Sequence, residues 1–246
     1  TPAERAGVKS GDFIAKIDNV STRGLTTSEA VKKMRGKPGT KITLTLSRKN
    51  VDKPIVVNLT RAIIKVKSVR HHLLEPNYGY IRVSQFQERT VAGINEAAKA
   101  LIKANKGAPL KGIILDLRDD PGGLLDGAVG VSAAFLPADA KVVSTKGRDG
   151  KEGMVLKARP EDYIRTSGRD PLADLPAELK TIPLTVLINS GSASASEIVA
   201  GALQDHKRAV VVGTQSFGKG SVQTLIPLSG GSAVKLTTAL YYTPND

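Results

Sequence analysis

Apolar and polar residues follow two different rhythms along the chain. In KITLTLSR (41–48) every second side chain is apolar, the period of a strand with one buried face. Ahead of it, AGVKSGDFIAKIDNV (6–20) predicts a Gly-Asp turn followed by a short apolar strand. TTSEAVKKMRGKPGT (26–40) predicts a helix opened by the capping box Thr26-x-x-Glu29 and closed near Gly36. KPIVVNLTRAIIKVKSV (53–69) predicts a further extended segment or pair, and LLEPNYG (73–79) a join to a second unit.

Beyond that join, strand-like and helix-like segments alternate. GYIRVSQF (79–86) predicts a strand, ERTVAGINEAAKALIKANKG (88–107) a helix ending at glycine, and GIILDLRD (112–119) a continuous apolar strand of the kind buried in parallel sheets. The unit then repeats. DPGGLLDGAVGVSAAFLP (120–137) predicts a turn and a helix, IPLTVLIN (182–189) a buried strand, SASEIVAGALQDH (194–206) a helix, and RAVVVG (208–213) a third buried strand. Residues 141–180, charged and rich in proline and glycine, are expected to run over the surface beside an active site. The pattern predicts an α/β fold of parallel strand–helix units preceded by a smaller domain, with segments 1–62, a linker over 63–78, and a core over 79–246.

Composition narrows the chemistry. The 246 residues include no cysteine, which excludes disulfides and thiolate metal sites and fits an oxidising compartment. Adjacent His71 and His72 would face opposite sides of any strand, so a solvated basic turn is favoured over a metal pair. Lys+Arg outnumber Asp+Glu by 36 to 23, a net charge of +13. The basic residues are scattered, aromatics make up only 4%, and no helix-turn-helix or zinc module is present, so the charge predicts solubility rather than nucleic-acid binding. No apolar stretch approaches the ~18 residues of a membrane span, and TPAERAGV is no signal peptide. Any export signal is expected to have been removed or omitted.

Gly213-Thr-Gln-Ser-Phe-Gly-Lys219 matches a phosphate loop through the lysine, but Gly220 follows where a hydroxyl should bind magnesium. The next segment, SVQTLIPL, is β-branched and closes on proline, so it predicts a strand and not the helix a phosphate loop needs. Strand geometry gives the lysine another setting. A twelve-residue helix from Ala195 carries the chain about 18 Å away, and a strand over 208–213 brings it back about 20 Å, to the level of the serines before the helix. His206 sits at the far end, so the pair Asp205-His206 cannot supply a base to those serines. The turn after GIILDL lies on the same carboxyl edge. Hydroxyls at a helix start, the amides of Gly122 and Gly123, and Lys219 thus converge, a set suited to acyl transfer. Each has a plainer use: Ser194 and Glu197 as a capping box, the glycines as a turn, the lysine as a surface cation.

IILDLRDDPGGLLDGAV, NSGSASASEIVAGALQDHKRAVVVGTQSFGKGSVQTLIPL and KLTTALYYTP resemble the carboxy-terminal processing proteases, also called tail-specific proteases. TPAERAG followed by GDFIAKI and a capped helix is similar to the later half of a PDZ domain. The resemblance implies a partial PDZ-like domain ahead of a crotonase-like or Clp-protease-like αβ core, with the start of the PDZ groove and the closing segment of the core missing. It implies a serine nucleophile with a lysine base, no histidine, and no metal or cofactor. Ser194 matches the middle serine of SASAS, Lys219 the lysine and Gln223 the glutamine that orients it. Glu197 and Asp205 are supporting acids, although helix geometry puts Asp205 far from the hydroxyl. Gly122, Gly123 and the Ala195 amide would line the oxyanion hole. A neutral lysine is required, and burial beside Phe217 and Val222 is expected to lower its pKa from ~10.4. The implied partners are protein or peptide substrates with unstructured C-terminal tails, in a bacterial periplasm or cell envelope; the oligomeric state is left open. The alternative is a noncatalytic peptide-binding scaffold of the same fold.

Overall fold

The computed structural model describes residues 1–64, 67–165 and 168–246. The chain divides into two compact units, Thr1–Val66 and Lys67–Asp246. In the first, a single-turn helix α1 (Pro2–Arg5) precedes strands β1 (Phe13–Ile17) and β2 (Val20–Ser21). Helix α2 (Thr27–Met34) and strands β3 (Lys41–Arg48) and β4 (Val51–Thr60) follow, the strands forming a sheet in the order β2-β1-β3-β4. The alternation in KITLTLSR buries Ile42, Leu44 and Leu46 together with Ile17 and Val57, and α2 adds Ala30 and Met34 to the same core. The predicted cap is formed, Glu29 N–H donating to Thr26 Oγ1 at 3.3 Å and Thr26 N–H to Glu29 Oε2 at 2.8 Å. At the other end of α2, Arg61 donates to the carbonyls of Met34 and Lys33, satisfying acceptors that the helix itself cannot. Of the extended run 53–69, β4 occupies the part up to Thr60, and Lys65 and Val66 lie outside the described residues.

The second unit opens with β5 (Val69–Glu75) and β6 (Tyr78–Val83), a hairpin turning at Asn77 with φ +74°. The expected linker over 63–78 therefore ends earlier: residues 69–75 are an edge strand, and its turn mimics a domain join because both are short and polar. His71 and His72 lie on this strand and not on a turn, the His72 ring 4.7 Å from that of Tyr80.

Helix α3 (Thr90–Ala104), strand β7 (Gly112–Asp116) and helix α4 (Leu125–Phe135) follow as predicted. Strands β8 (Lys141–Gly147) and β9 (Glu152–Lys157) come next, then the one-turn helix α5 (Pro160–Tyr163), β10 (Leu184–Ile188), α6 (Ala195–Asp205) and β11 (Ala209–Gly213). Strands β12 (Ser221–Pro227) and β13 (Ala233–Tyr242) close the chain. The main sheet has the order β11-β10-β7-β6-β5, parallel except at β5, and α3, α4 and α6 contribute to one core with it.

Two expectations fail on pairing that lies far away in sequence. Residues 141–147 are not a surface excursion: Val142, Val143, Ser144 and Thr145 are buried, and β8 lies between β13 and β9 in a second, antiparallel sheet. RAVVVG forms its strand, but at the sheet edge, where Val210 is 66% exposed. A fully apolar run reads alike at the centre and at the edge of a parallel sheet.

Candidate active site

The parallel register aligns the strand ends: Leu187 pairs with Asp116, and Ile188 with Gly213. The loops that leave these ends are tied to one another by hydrogen bonds. Asp119 N–H donates to Asn189 Oδ1 at 2.9 Å, Ala193 N–H to the Asp120 carbonyl at 3.0 Å, and Phe217 N–H to the Ser192 carbonyl at 2.9 Å. The three loops singled out in the sequence thus form one surface.

Ser194 stands immediately before α6 with φ +56° and ψ −112°, half-buried. A non-glycine residue in this region carries about 1–3 kcal/mol of strain, held in place by its surroundings. The same backbone departs from an ordinary extended N-cap. The box with Glu197 is present in outline, but only its Ser194 N–H to Glu197 Oε2 limb, at 2.7 Å, forms a hydrogen bond.

Glu197 does more than close a cap. Its Oε1 accepts from the Ser216 hydroxyl at 2.7 Å and the Gly218 amide at 2.6 Å, while Oε2 accepts from the Lys219 amide at 2.8 Å as well as from Ser194. One carboxylate thus joins the backbone of the serine to that of the lysine. Burial pushes its pKa up, but the Ser216 hydroxyl and the three amides outweigh that and hold it below the ordinary value. The capping signal S-x-x-E found Glu197; the contribution of Ser216 had no local signal.

Gly122 packs directly against the serine turn. A Cβ built on it would lie 2.6 Å from the Ala193 carbonyl oxygen, 2.9 Å from the Ala195 nitrogen and 3.0 Å from the Ser194 Cβ, and its φ is +93°. Gly123, at φ +147°, leaves no room for a Cβ beside the Phe86 carbonyl. Of the amides expected to line an oxyanion hole, that of Gly122 is already bonded to Asp120 Oδ1 at 2.8 Å. The Gly123 and Ala195 amides meet no acceptor among the described residues.

Ser194, Glu197 and Lys219 line one small cavity of about 100 Å³ with Val143, Ile198 and Tyr241. Here the structure departs from the expected dry pocket. Lys219 is exposed, Phe217 is 68% exposed, and among the described residues no hydrogen bond joins the Lys219 amine to the Ser194 hydroxyl. Glycines on both sides of the lysine leave its loop without side-chain cover. Gln223 is also exposed, opposite Thr237 on β13 and donating to its hydroxyl at 3.0 Å. Lys219 and Gln223 would share a face only on one strand, whereas β12 begins at Ser221 and leaves Lys219 in the loop ahead of it. Asp205 lies at the opposite end of α6, accepting the Asn245 amide at 2.9 Å, and His206 beside it meets the Lys141 carbonyl at 2.7 Å; neither lines the cavity.

No local pattern in the sequence singles out Asp120. Its side chain is fully buried, Oδ2 has no hydrogen-bond partner among the described residues, and burial raises its pKa to about 6. Nearby Asp116, also fully buried, receives Arg118, Arg82 and the Tyr80 hydroxyl. Burial opposes its charge, but the bonds from Arg118 and Tyr80 hold its pKa at about 2. Among the described residues, no group of three or more His, Asp or Glu side chains gathers to hold a metal.

Residues 77–246 match peptidase family S41, and residues 1–48 match the PDZ domain. The chain is 51% identical over 245 residues to the carboxy-terminal-processing protease of Bartonella bacilliformis, covering 100% of this chain and 52% of that protein. It is 38% identical over 245 residues to a probable CtpA-like serine protease of Staphylococcus haemolyticus, covering 100% of this chain and 45% of that one. Among solved structures, the photosystem II D1 C-terminal processing protease aligns with a TM-score of 0.58 at 29% identity, over 99% of this chain and 61% of that one. The chain therefore spans about half the length of the curated relatives it matches. With a family model matching well over half of its length, this chain belongs to peptidase family S41, with a PDZ domain in its first unit.

Proposed function

We propose that the chain carries the catalytic centre of a serine endopeptidase that cleaves proteins near or from their C-terminal tails, with Ser194 as nucleophile and Lys219 as general base. The observation that carries this reading is the sharing of one cavity by Ser194 and Lys219, with Glu197 bonded to both backbones. In the reaction, Lys219 takes the hydroxyl proton as Ser194 attacks the peptide carbonyl, and the amine then passes that proton to the leaving nitrogen. Water hydrolyses the acyl-enzyme with the lysine again as base. The Gly123 and Ala195 amides donate to the developing oxyanion.

The exposed position of Lys219 adds a requirement. The side chain must turn onto Ser194 before it can act as a base, since a proton passes only between groups within hydrogen-bond reach. A peptide lying across the cavity would cover the exposed loop and favour that orientation. The PDZ unit fits recognition of a terminal carboxylate by strand addition, and an exported, envelope location suits a processing enzyme.

The exposed lysine also favours the second reading, a noncatalytic peptide-binding scaffold. One experiment separates the two: incubation of the protein with an unfolded substrate bearing a free C-terminal tail. The protease reading requires cleavage that is lost in both Ser194→Ala and Lys219→Ala. Binding without cleavage by the unsubstituted chain, unchanged in both variants, would establish the scaffold.

A further inference from the structure

A second carboxyl group belongs to a residue bonded to the turns of the site, and none of the steps above uses it. Asp120 bonds in two directions at once. Its Oδ1 accepts the Gly122 amide at 2.8 Å, within the turn that presents Gly123. Its backbone carbonyl accepts the Ala193 amide and the Ser196 hydroxyl, each at 3.0 Å, from the two sides of Ser194. One fully buried residue thus bonds to the glycine turn and to the serine turn.

The fit between these turns is close enough for this to matter. Gly122 has no room for even a methyl group against Ala193, Ser194 and Ala195. A rotation of the 120–123 turn would displace the Gly123 amide, which meets no acceptor among the described residues. Hydrogen bonds to an oxyanion act over about 2.7–3.1 Å, so a displacement of half an ångström or more degrades them.

The side chain also carries a local cost that bare structure does not explain. Oδ2 is buried without a hydrogen-bond partner among the described residues, and no basic side chain pairs with the carboxyl; Arg82, whose charge acts on it, is bonded instead to Asp116 and to the Arg118 carbonyl. A buried polar oxygen left in this state costs about 1–3 kcal/mol.

We propose that Asp120 is a positioning residue for the proposed peptidase, fixing the Gly122–Gly123 turn against the Ser194 turn so that the Gly123 and Ala195 amides share one oxyanion site. It acts through Gly122, not on substrate. The acceptor oxygen is what the geometry uses, so asparagine, which retains that oxygen and presents its amide where Oδ2 now sits, should substitute and alanine should not. This inference rests on the peptidase reading, and its test includes a measurement that does not.

The test compares the unsubstituted chain, Asp120→Asn and Asp120→Ala by two measurements. The first is turnover of the unfolded tail substrate. Asp120→Ala should lower kcat at least thirtyfold with KM within threefold, and Asp120→Asn should recover at least a third of the lost kcat. The second is amide hydrogen exchange of the peptide spanning residues 118–124. Asp120→Ala should accelerate it at least tenfold at the Gly122 position, and Asp120→Asn should restore protection. Equal kcat in all three proteins, or equal losses in both variants, overturns the proposal. If the unsubstituted chain cleaves nothing, the peptidase reading fails on its own account and exchange decides the positioning claim: unchanged protection in Asp120→Ala overturns it, and the tenfold loss with recovery in Asp120→Asn upholds it. Should Asp120→Ala fail to fold, the outcome rests on Asp120→Asn, which must retain both protection and kcat.

Discussion

Replacing Glu197 by glutamine tests whether one carboxylate holds the serine and lysine loops together. In the native site each carboxylate oxygen accepts from two donors: Ser216 and Gly218 on Oε1, Ser194 and Lys219 on Oε2. Glutamine has one acceptor oxygen, and in either orientation its NH2 group confronts two donors. Two charge-assisted hydrogen bonds are lost, at about 1.5–3 kcal/mol each, and water reaching the exposed lysine loop returns part of this. A net loosening of about 3 kcal/mol is expected, which corresponds to roughly a hundredfold loss of activity if the loop must be ordered for reaction. Hydrogen exchange at Gly218 and Lys219 should rise by a similar factor. The pH dependence has a defined sign. Glu197 has a lowered pKa in the folded state, so its contribution is present above the ordinary carboxylate range and is lost as pH falls through the lowered value. Loop protection in the native protein should therefore weaken at acid pH, and that dependence should disappear in Glu197→Gln. Exchange and activity both within threefold of the native protein at neutral pH would refute the argument.

Two further substitutions probe the same edge of the sheet. Gly122→Ala combines a φ of +93° with a Cβ 2.6 Å from the Ala193 carbonyl oxygen, so it should cost about 2–4 kcal/mol in denaturant unfolding and reduce reaction at Ser194 more than a hundredfold. Asp120 has a raised folded pKa of about 6, so its stabilising influence is full below the unfolded value near 3.9 and is lost as pH rises through 6. The shift corresponds to about 3 kcal/mol, or about 1–2 kcal/mol after solvent screening. Asp120→Asn should accordingly flatten the decline in unfolding free energy between pH 4 and 8, as measured by urea titration at each pH.

Local pattern served well where the bonds that make an element are themselves local. The alternation of Lys41–Arg48, the Thr26–Glu29 cap and the apolar run Gly112–Asp116 each specify an element whose partners the residues imply. Chain-length geometry also brought Ser194, Gly122 and Lys219 to one edge, because parallel strand–helix units return at nearly fixed rise per residue. What escaped was set by distant pairing. Strand β8 is covered by β13, nearly a hundred residues later, so its charged surroundings suggested a loop. Gln223 sits apart from the lysine because the strand starts only at Ser221, a boundary that composition does not mark, and the exposure of Lys219 depends on what lies over its loop.

The lysine loop is held at two points of different origin. On one side Glu197 grips the amides of Gly218 and Lys219 from the start of a helix; on the other, the Gly220 carbonyl accepts the Tyr241 amide at 2.7 Å from the last strand. The lysine's backbone is thus pinned to two separate elements while its amine is left free to turn, so a shift of either element would reposition the amine's point of attachment.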